Sequence, residues 1–145
     1  MKALIQRVRH ASVEVSGEVV AGIQFGILVF LGVEKTDTDE ICKKLLDKVS
    51  AYRIFSDEHD KMNHNLMQVS GELLVVSQFT LVADTKKGLR PSFSKTGLPD
   101  ESRRLYEQFI LFAQEKGISV QSGQFGADMQ VSLVNDGPVT FLLES

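Results

Sequence analysis

The run Phe25-Gly26-Ile27-Leu28-Val29-Phe30-Leu31-Gly32-Val33 carries no charged or hydrogen-bonding side chain. A half-buried strand alternates apolar and polar residues, so an unbroken apolar stretch of this length reads as a strand covered on both faces. Leu73–Val76 and Met129–Val134 read as two further strands. Val13 and Val15, alternating with Ser12, Glu14 and Ser16 ahead of Gly17, read as a strand entering a hairpin turn. Gly22, Gly26 and Gly32 are spread through these strands, where close backbone packing is the expected role.

Two stretches carry the helical period instead. From Asp37, the expected N-cap with Glu40 three residues on, the apolar positions Ile41, Leu45, Leu46 and Val49 mark one face. The second helix is expected to begin near Pro99, to present Leu105, Tyr106, Phe109, Phe112 and Ala113, and to end at Gly117. Helices this few do not alternate with strands as a doubly wound fold requires. The expected class is therefore α/β: a strand-rich sandwich or barrel-like β-sheet with a few helices packed outside. At 145 residues, 43% hydrophobic and 24% charged, the chain fits one soluble domain spanning 1–145.

Several functions are excluded or disfavoured. The N-terminus becomes charged within a few residues, and no charge-free run reaches the roughly 18–20 residues that a membrane span needs. A cytoplasmic protein with no membrane partner is expected. The lone cysteine, Cys42, leaves no intrachain disulfide or cysteine metal cluster and reads as a structural thiol. His10, His59 and His64 lack metal-ligand spacing, and no P-loop, nucleophile elbow or dinucleotide fingerprint is present, so neither metal nor cofactor is expected. A net charge of −3 argues against indiscriminate nucleic-acid binding, and DNA is not an expected partner. Locally the balance reverses: Lys86, Lys87, Arg90 and Lys95 face only Asp84, which makes either a solvated loop or a phosphate contact.

The chemistry-bearing candidates sit where a core wants hydrocarbon. Ser77, Gln78, Phe79 and Thr80 close the apolar run Leu73–Val76, and an unpartnered buried polar group costs about 1–3 kcal/mol. Taken alone, the Ser77 and Thr80 hydroxyls read as strand-end caps, and Asn135-Asp136-Gly137-Pro138 reads as a turn between two strands.

Together they read differently. Ser77-Gln78-Phe79-Thr80, Gly88-Leu89-Arg90-Pro91-Ser92-Phe93 and Asn135-Asp136-Gly137-Pro138-Val139-Thr140 closely resemble the D-aminoacyl-tRNA deacylase family. So do Arg53-Ile54-Phe55-Ser56-Asp57 with Lys61-Met62-Asn63, and Phe125-Gly126-Ala127-Asp128-Met129-Gln130-Val131. The similarity extends from Ala3-Leu4-Ile5-Gln6-Arg7-Val8 to the last strand.

The resemblance implies a homodimeric hydrolase that cleaves the ester between a D-amino acid and the 3′-terminal adenosine of tRNA. By that similarity Gly137-Pro138 is a Gly-cisPro element inserted into the partner's site, where its carbonyls exclude an L side chain. Arg7 is implied to hold this loop across the dimer, with an ordinary exposed strand charge as the alternative. Ser77, Gln78, Phe79 and Thr80 are implied to line the ester, with amides of Phe79 and Thr80 or the Gln78 side chain facing the oxyanion. Thr80 as nucleophile and water assisted by the adenosine 2′-hydroxyl both remain open. Phe79 and Met129 are candidates for the adenosine, with core packing as the competing role. Lys86, Lys87, Arg90 and Lys95 are candidates for tRNA phosphates, and Asn135 for a supporting part. Because the selection excludes side chains, hydrolysis of glycyl-tRNA, including glycine on alanine tRNA, is also expected. A non-catalytic aminoacyl-tRNA-binding module and a general esterase using Thr80 are the alternatives.

Overall fold

The computed structural model describes residues 1–86 and 88–145. Its elements run β1 (Lys2–Val15), β2 (Glu18–Ile23), β3 (Gly26–Gly32), α1 (Asp39–Ala51), β4 (Phe55–Ser56), β5 (Met62–His64), β6 (Glu72–Ser77), a 3-10 turn (Phe79–Val82), α2 (Pro99–Glu115), β7 (Val120–Ser122) and β8 (Gln130–Glu144). β1 organises the sheet. It pairs antiparallel with β3 over Lys2–Val8, with β2 over Ala11–Val15, and with β8 from Lys2 to Glu14. β6 then joins β3, and β7 joins β6, both in parallel. β2 curls back towards β6 and β7, so the mixed sheet forms a nearly closed barrel. β4 and β5 make a separate small ribbon.

Burial follows the sequence pattern. Ile27, Val29 and Leu31 of β3 face a core shared with Leu45, Leu46 and Val49 of α1 and Leu105, Tyr106 and Phe109 of α2. Leu28 points the other way, into the barrel, against Val8, Val13, Ile23, Leu74 and Val76. β3 is thus the strand covered on both faces that its composition predicts, and both helices pack outside the sheet. The glycines divide. A Cβ on Gly26 would stand 1.9 Å from the Glu72 carbonyl oxygen, so only glycine lets β3 and β6 meet there. At Gly22 the nearest atom would be 3.6 Å away, an ordinary contact, so the close-packing role does not extend to it.

Element ends show where local signals hold. Ser16 and Gly17 both have positive φ, 52° and 83°, the geometry of the two-residue hairpin turn joining β1 to β2. α2 starts on Pro99 and stops where Gly117 takes φ +76°. The Gly117 and Ile118 amides then close back onto the Gln114 and Ala113 carbonyls, at 2.9 and 3.1 Å. The N-cap of α1 is Thr38 and not Asp37: Thr38 Oγ1 accepts from the Ile41 amide at 3.3 Å. Asp37 is already occupied, because its carboxylate takes the Met1 ammonium at 2.6 Å and the Glu34 amide at 2.6 Å.

Asn135–Pro138 is likewise not a turn between strands. β8 pairs with β1 on both sides of it: Val8 faces Asn135 and Gln6 faces Thr140. One residue of β1, Arg7, therefore stands opposite four of β8, and Asp136–Val139 stand out as a wide bulge. The turn-forming residues bend a strand here without reversing it.

Candidate functional site

β6 ends at Ser77, and the 3-10 turn that follows carries Phe79 and Thr80 to the surface. Gln78 is anchored by its own amide on the Leu31 carbonyl at 2.8 Å. Its side-chain amide donates to Thr80 Oγ1 at 2.6 Å. The hydroxyl is exposed, and among the described residues no histidine, lysine or carboxylate is hydrogen-bonded to it. It has no base. The first amides of the turn, Phe79 and Thr80, have no intrahelical partner, as at any helix start.

Beside the turn opens a cavity of about 400 Å³. Ser77, Gln78 and Phe79 form one side, Tyr106 and Ser102 of α2 another, and Phe125 and Met129 a third. The Phe79 ring is 57% exposed and tilts against Phe93, centroids 5.0 Å apart. Phe125 lies 5.6 Å from the Tyr106 ring and carries the Arg103 guanidinium 5.4 Å above its own. An apolar chamber with aromatic walls and a polar rim suits a flat heterocyclic guest. Met129 serves two roles, since it lines the cavity and also packs against the barrel core. Burial pushes the Tyr106 phenol up to about 12, and its proton is committed to the Val75 and Gly123 carbonyls at 2.9 and 3.2 Å. Tyr106 is a wall, not an acid.

Gly137 and Pro138 lie outside the cavity of their own chain and are exposed, with a cis peptide bond between them. The bulge is held from beneath. Arg7 donates from Nε to the Asp136 carbonyl at 3.0 Å and from Nη1 to the Ile54 carbonyl at 2.7 Å. Asn135 Oδ1 accepts from the Val139 amide and Asn135 Nδ2 donates to Thr140 Oγ1, both at 2.9 Å, bridging the base of the bulge. Gln6 and Arg9 add contacts to Thr140 and Asp136. Arg7 and Asn135 are therefore positioning residues for the bulge. The arginine props the loop of its own chain, because the register sets it directly opposite the bulge.

Lys86, Arg90 and Lys95 are exposed on the long connection before α2, pinned by the paired backbone of Asp84 and Ser92, and none makes an ion pair among the described residues. Lys87 lies outside the described residues. Among the described residues no group of three or more His, Cys, Asp or Glu is placed to hold a metal, and no helix is long and apolar enough to cross a membrane.

The cavity wall also holds polar residues that no sequence motif singles out. Thr96 and Ser102 bring buried hydroxyls to the cavity wall. Ser102 carried a signal, since it falls on the buried stripe of α2 that continues through Leu105, Tyr106 and Phe109. Phe125, quoted above only as part of a motif, also proves to be a wall of the chamber.

The family model described as D-Tyr-tRNA(Tyr) deacylase matches residues 4–144. A protein of Shewanella baltica (strain OS185) named D-aminoacyl-tRNA deacylase is 62% identical, over 99% of both chains. One of the same name from Pseudoalteromonas translucida (strain TAC 125) is 59% identical, again over 99% of both. Among solved structures, the c-Myc DNA unwinding element binding protein superposes with a TM-score of 0.94 at 38% identity, covering 100% of this chain and 99% of that one. A probable eukaryotic D-amino acid tRNA deacylase shares the fold, with a TM-score of 0.86 at 18% identity, over 99% of this chain and 98% of that one.

Proposed function

Since the chain belongs to the D-Tyr-tRNA(Tyr) deacylase family, we propose that it hydrolyses the ester of D-aminoacyl-tRNA, releasing the D-amino acid and reusable tRNA. The observation that carries the reading is the aromatic-walled cavity opening beside Ser77-Gln78-Phe79-Thr80. The terminal adenosine sits in the cavity against Phe125 and Met129, which leaves its ester at the rim. There the amides of Phe79 and Thr80 face the oxyanion that forms as water attacks, and one such donor is typically worth about 10²–10³ in rate.

Water is the nucleophile in this reading. Thr80 Oγ1 already receives a hydrogen bond from Gln78 and has no base beside it. The adenosine 2′-hydroxyl, adjacent to the ester, positions the water. Lys86, Arg90 and Lys95, exposed and free of ion pairs among the described residues, contact acceptor-end phosphates and fix the register without reading sequence. The protein acts in the cytoplasm, where aminoacyl-tRNA is used.

Chirality is read by a second copy. The Gly137-Pro138 bulge is exposed, braced by Arg7 and Asn135, and set outside its own cavity, which suits insertion into a partner's site. Among the described residues β8 pairs only with β1, and it exposes Val134 and Leu142, 42% and 52%, an apolar margin fit for a homodimer. A main-chain wall rejects a side chain on the wrong hand and admits none at all, so glycyl-tRNA, including glycine on alanine tRNA, is also cleaved.

Release of D-tyrosine from D-tyrosyl-tRNA by the wild-type protein tests the reading. Catalytic release supports it. Tight binding of the aminoacyl end without release would make the protein a binding module instead.

A further inference from the structure

Thr96 Oγ1 and Ser102 Oγ are buried and have no hydrogen-bond partner among the described residues, and both residues line the cavity. Ser102 is 93% removed from solvent, its residual exposure being 7%. The two arrive independently, Thr96 from the loop that bridges to Glu34 and Ser102 from the first turn of α2. A serine inside a helix usually turns its hydroxyl back onto the carbonyl one turn earlier. Here the Leu98 carbonyl takes only the Ser102 amide, at 2.8 Å, and the hydroxyl is left over. Gly97 keeps the approach open, since a Cβ there would stand 2.7 Å from Ser102 Oγ.

Hydrocarbon and rings make up most of the remaining wall, through Val33, Val76, Phe125 and Met129. Tyr106 has no proton to give a guest, because its O–H is directed at the Val75 and Gly123 carbonyls. A guest that satisfies both hydroxyls therefore has a flat apolar body and one hydrogen-bonding edge that carries a donor beside an acceptor.

We propose that Thr96 and Ser102 hydrogen-bond the Watson–Crick edge of the adenine at the tRNA 3′ end, making the cavity a base-selective seat. The inference rests on the reading of the cavity as a nucleoside seat. Adenine sets its N1 acceptor next to its N6 amine, and a hydroxyl both donates and accepts, so one hydroxyl gives its proton to N1 and the other receives from N6. A site built to pair an N–H discriminates against the analogue that lacks it.

The test compares binding of adenosine 5′-monophosphate and purine riboside 5′-monophosphate, which lacks the N6 amine, to the full chain. Wild type, Ser102→Ala, Thr96→Val and the double variant are measured, with NMR signals of Phe125 and Met129 locating the ligand. Wild type is expected to prefer the adenine nucleotide by about 3- to 10-fold, the range one neutral hydrogen bond supplies. Each single variant weakens that nucleotide by a similar factor, and the double variant loses the preference. None unfolds earlier than wild type, because the hydroxyls removed had no partner. Equal preference in wild type and double variant overturns the inference and leaves the seat standing. Signals of Phe125 and Met129 unmoved by either nucleotide overturn both. Loss of preference in the double variant of a protein that releases no D-tyrosine upholds the inference and removes the deacylase reading alone.

Discussion

Arg7 stands directly opposite the Gly137–Pro138 bulge and ties it to a second segment, with Nε on the Asp136 carbonyl at 3.0 Å and Nη1 on the Ile54 carbonyl at 2.7 Å. The guanidinium fork makes both bonds at once, which a lysine ammonium on its flexible stem does not reproduce. Arg7→Ala is expected to lower stability by about 1.5–3 kcal/mol, the range for charge-assisted hydrogen bonds. Displacing the bulge should cost D-ester hydrolysis on the order of 10². Urea denaturation and initial rates measure the two, and Arg7→Lys should recover little of the rate.

Gly137 has φ +136°, and a Cβ there would meet Val139 Cγ2 at 2.7 Å and Arg7 Nη2 at 3.2 Å. Gly137→Ala therefore strains the backbone by about 1–3 kcal/mol and pushes on the brace. Its expected signature is an activity loss larger than the stability loss explains, read from rates on the fraction still folded.

Gly26→Ala is a fold mutation, since the added Cβ would overlap the Glu72 carbonyl and part β3 from β6. Gly22→Ala meets only ordinary contacts and should unfold within about 1 kcal/mol of wild type. Thermal unfolding of the pair measures the contrast.

Thr80→Ala should keep D-ester hydrolysis within about tenfold, because its hydroxyl is exposed and, among the described residues, bonded only to the Gln78 amide. Loss of an obligate nucleophile would cost on the order of 10⁴ or more. Initial-rate kinetics on D-tyrosyl-tRNA separates the two cases.

Burial, with Asp39 and Asp37 nearby, pushes the Cys42 thiol up from 9.0 to about 12, and burial raises the Tyr106 phenol from 10.0 to about 12. In both cases the folded state holds a proton that the unfolded chain releases first. Stability is therefore whole below pH 9 and falls as pH rises from 9 towards 12. In Cys42→Ser the fall should begin near pH 10 instead, as followed by urea midpoints across that range.

β3, β6 and both helices were legible because burial on two faces and a helical stripe are local patterns, as in Phe25–Val33 and Ile41–Val49, whereas the short strands β4, β5 and β7 carry no such pattern. Asp37 misled because its carboxylate is held by the Glu34 amide three residues back and by the Met1 ammonium, a partner that only the tertiary fold supplies. Asn135–Pro138 has the composition of a turn, and only its pairing with β1 on both sides makes it a bulge. Ser77, Gln78 and Thr80 stood out as polar residues at the end of an apolar run, whereas Thr96 and Ser102 reach the cavity from a loop and a helix whose juxtaposition no spacing encodes.

Stereoselective hydrolysis is the centre of this account, and single-turnover rates on D-tyrosyl-, L-tyrosyl- and glycyl-tRNA measured side by side test it most directly. The D ester and the glycyl ester should be cleaved, with the L ester intact at enzyme levels that clear the other two. Cleavage of L- and D-tyrosyl-tRNA at equal rates would contradict a main-chain wall that reads chirality.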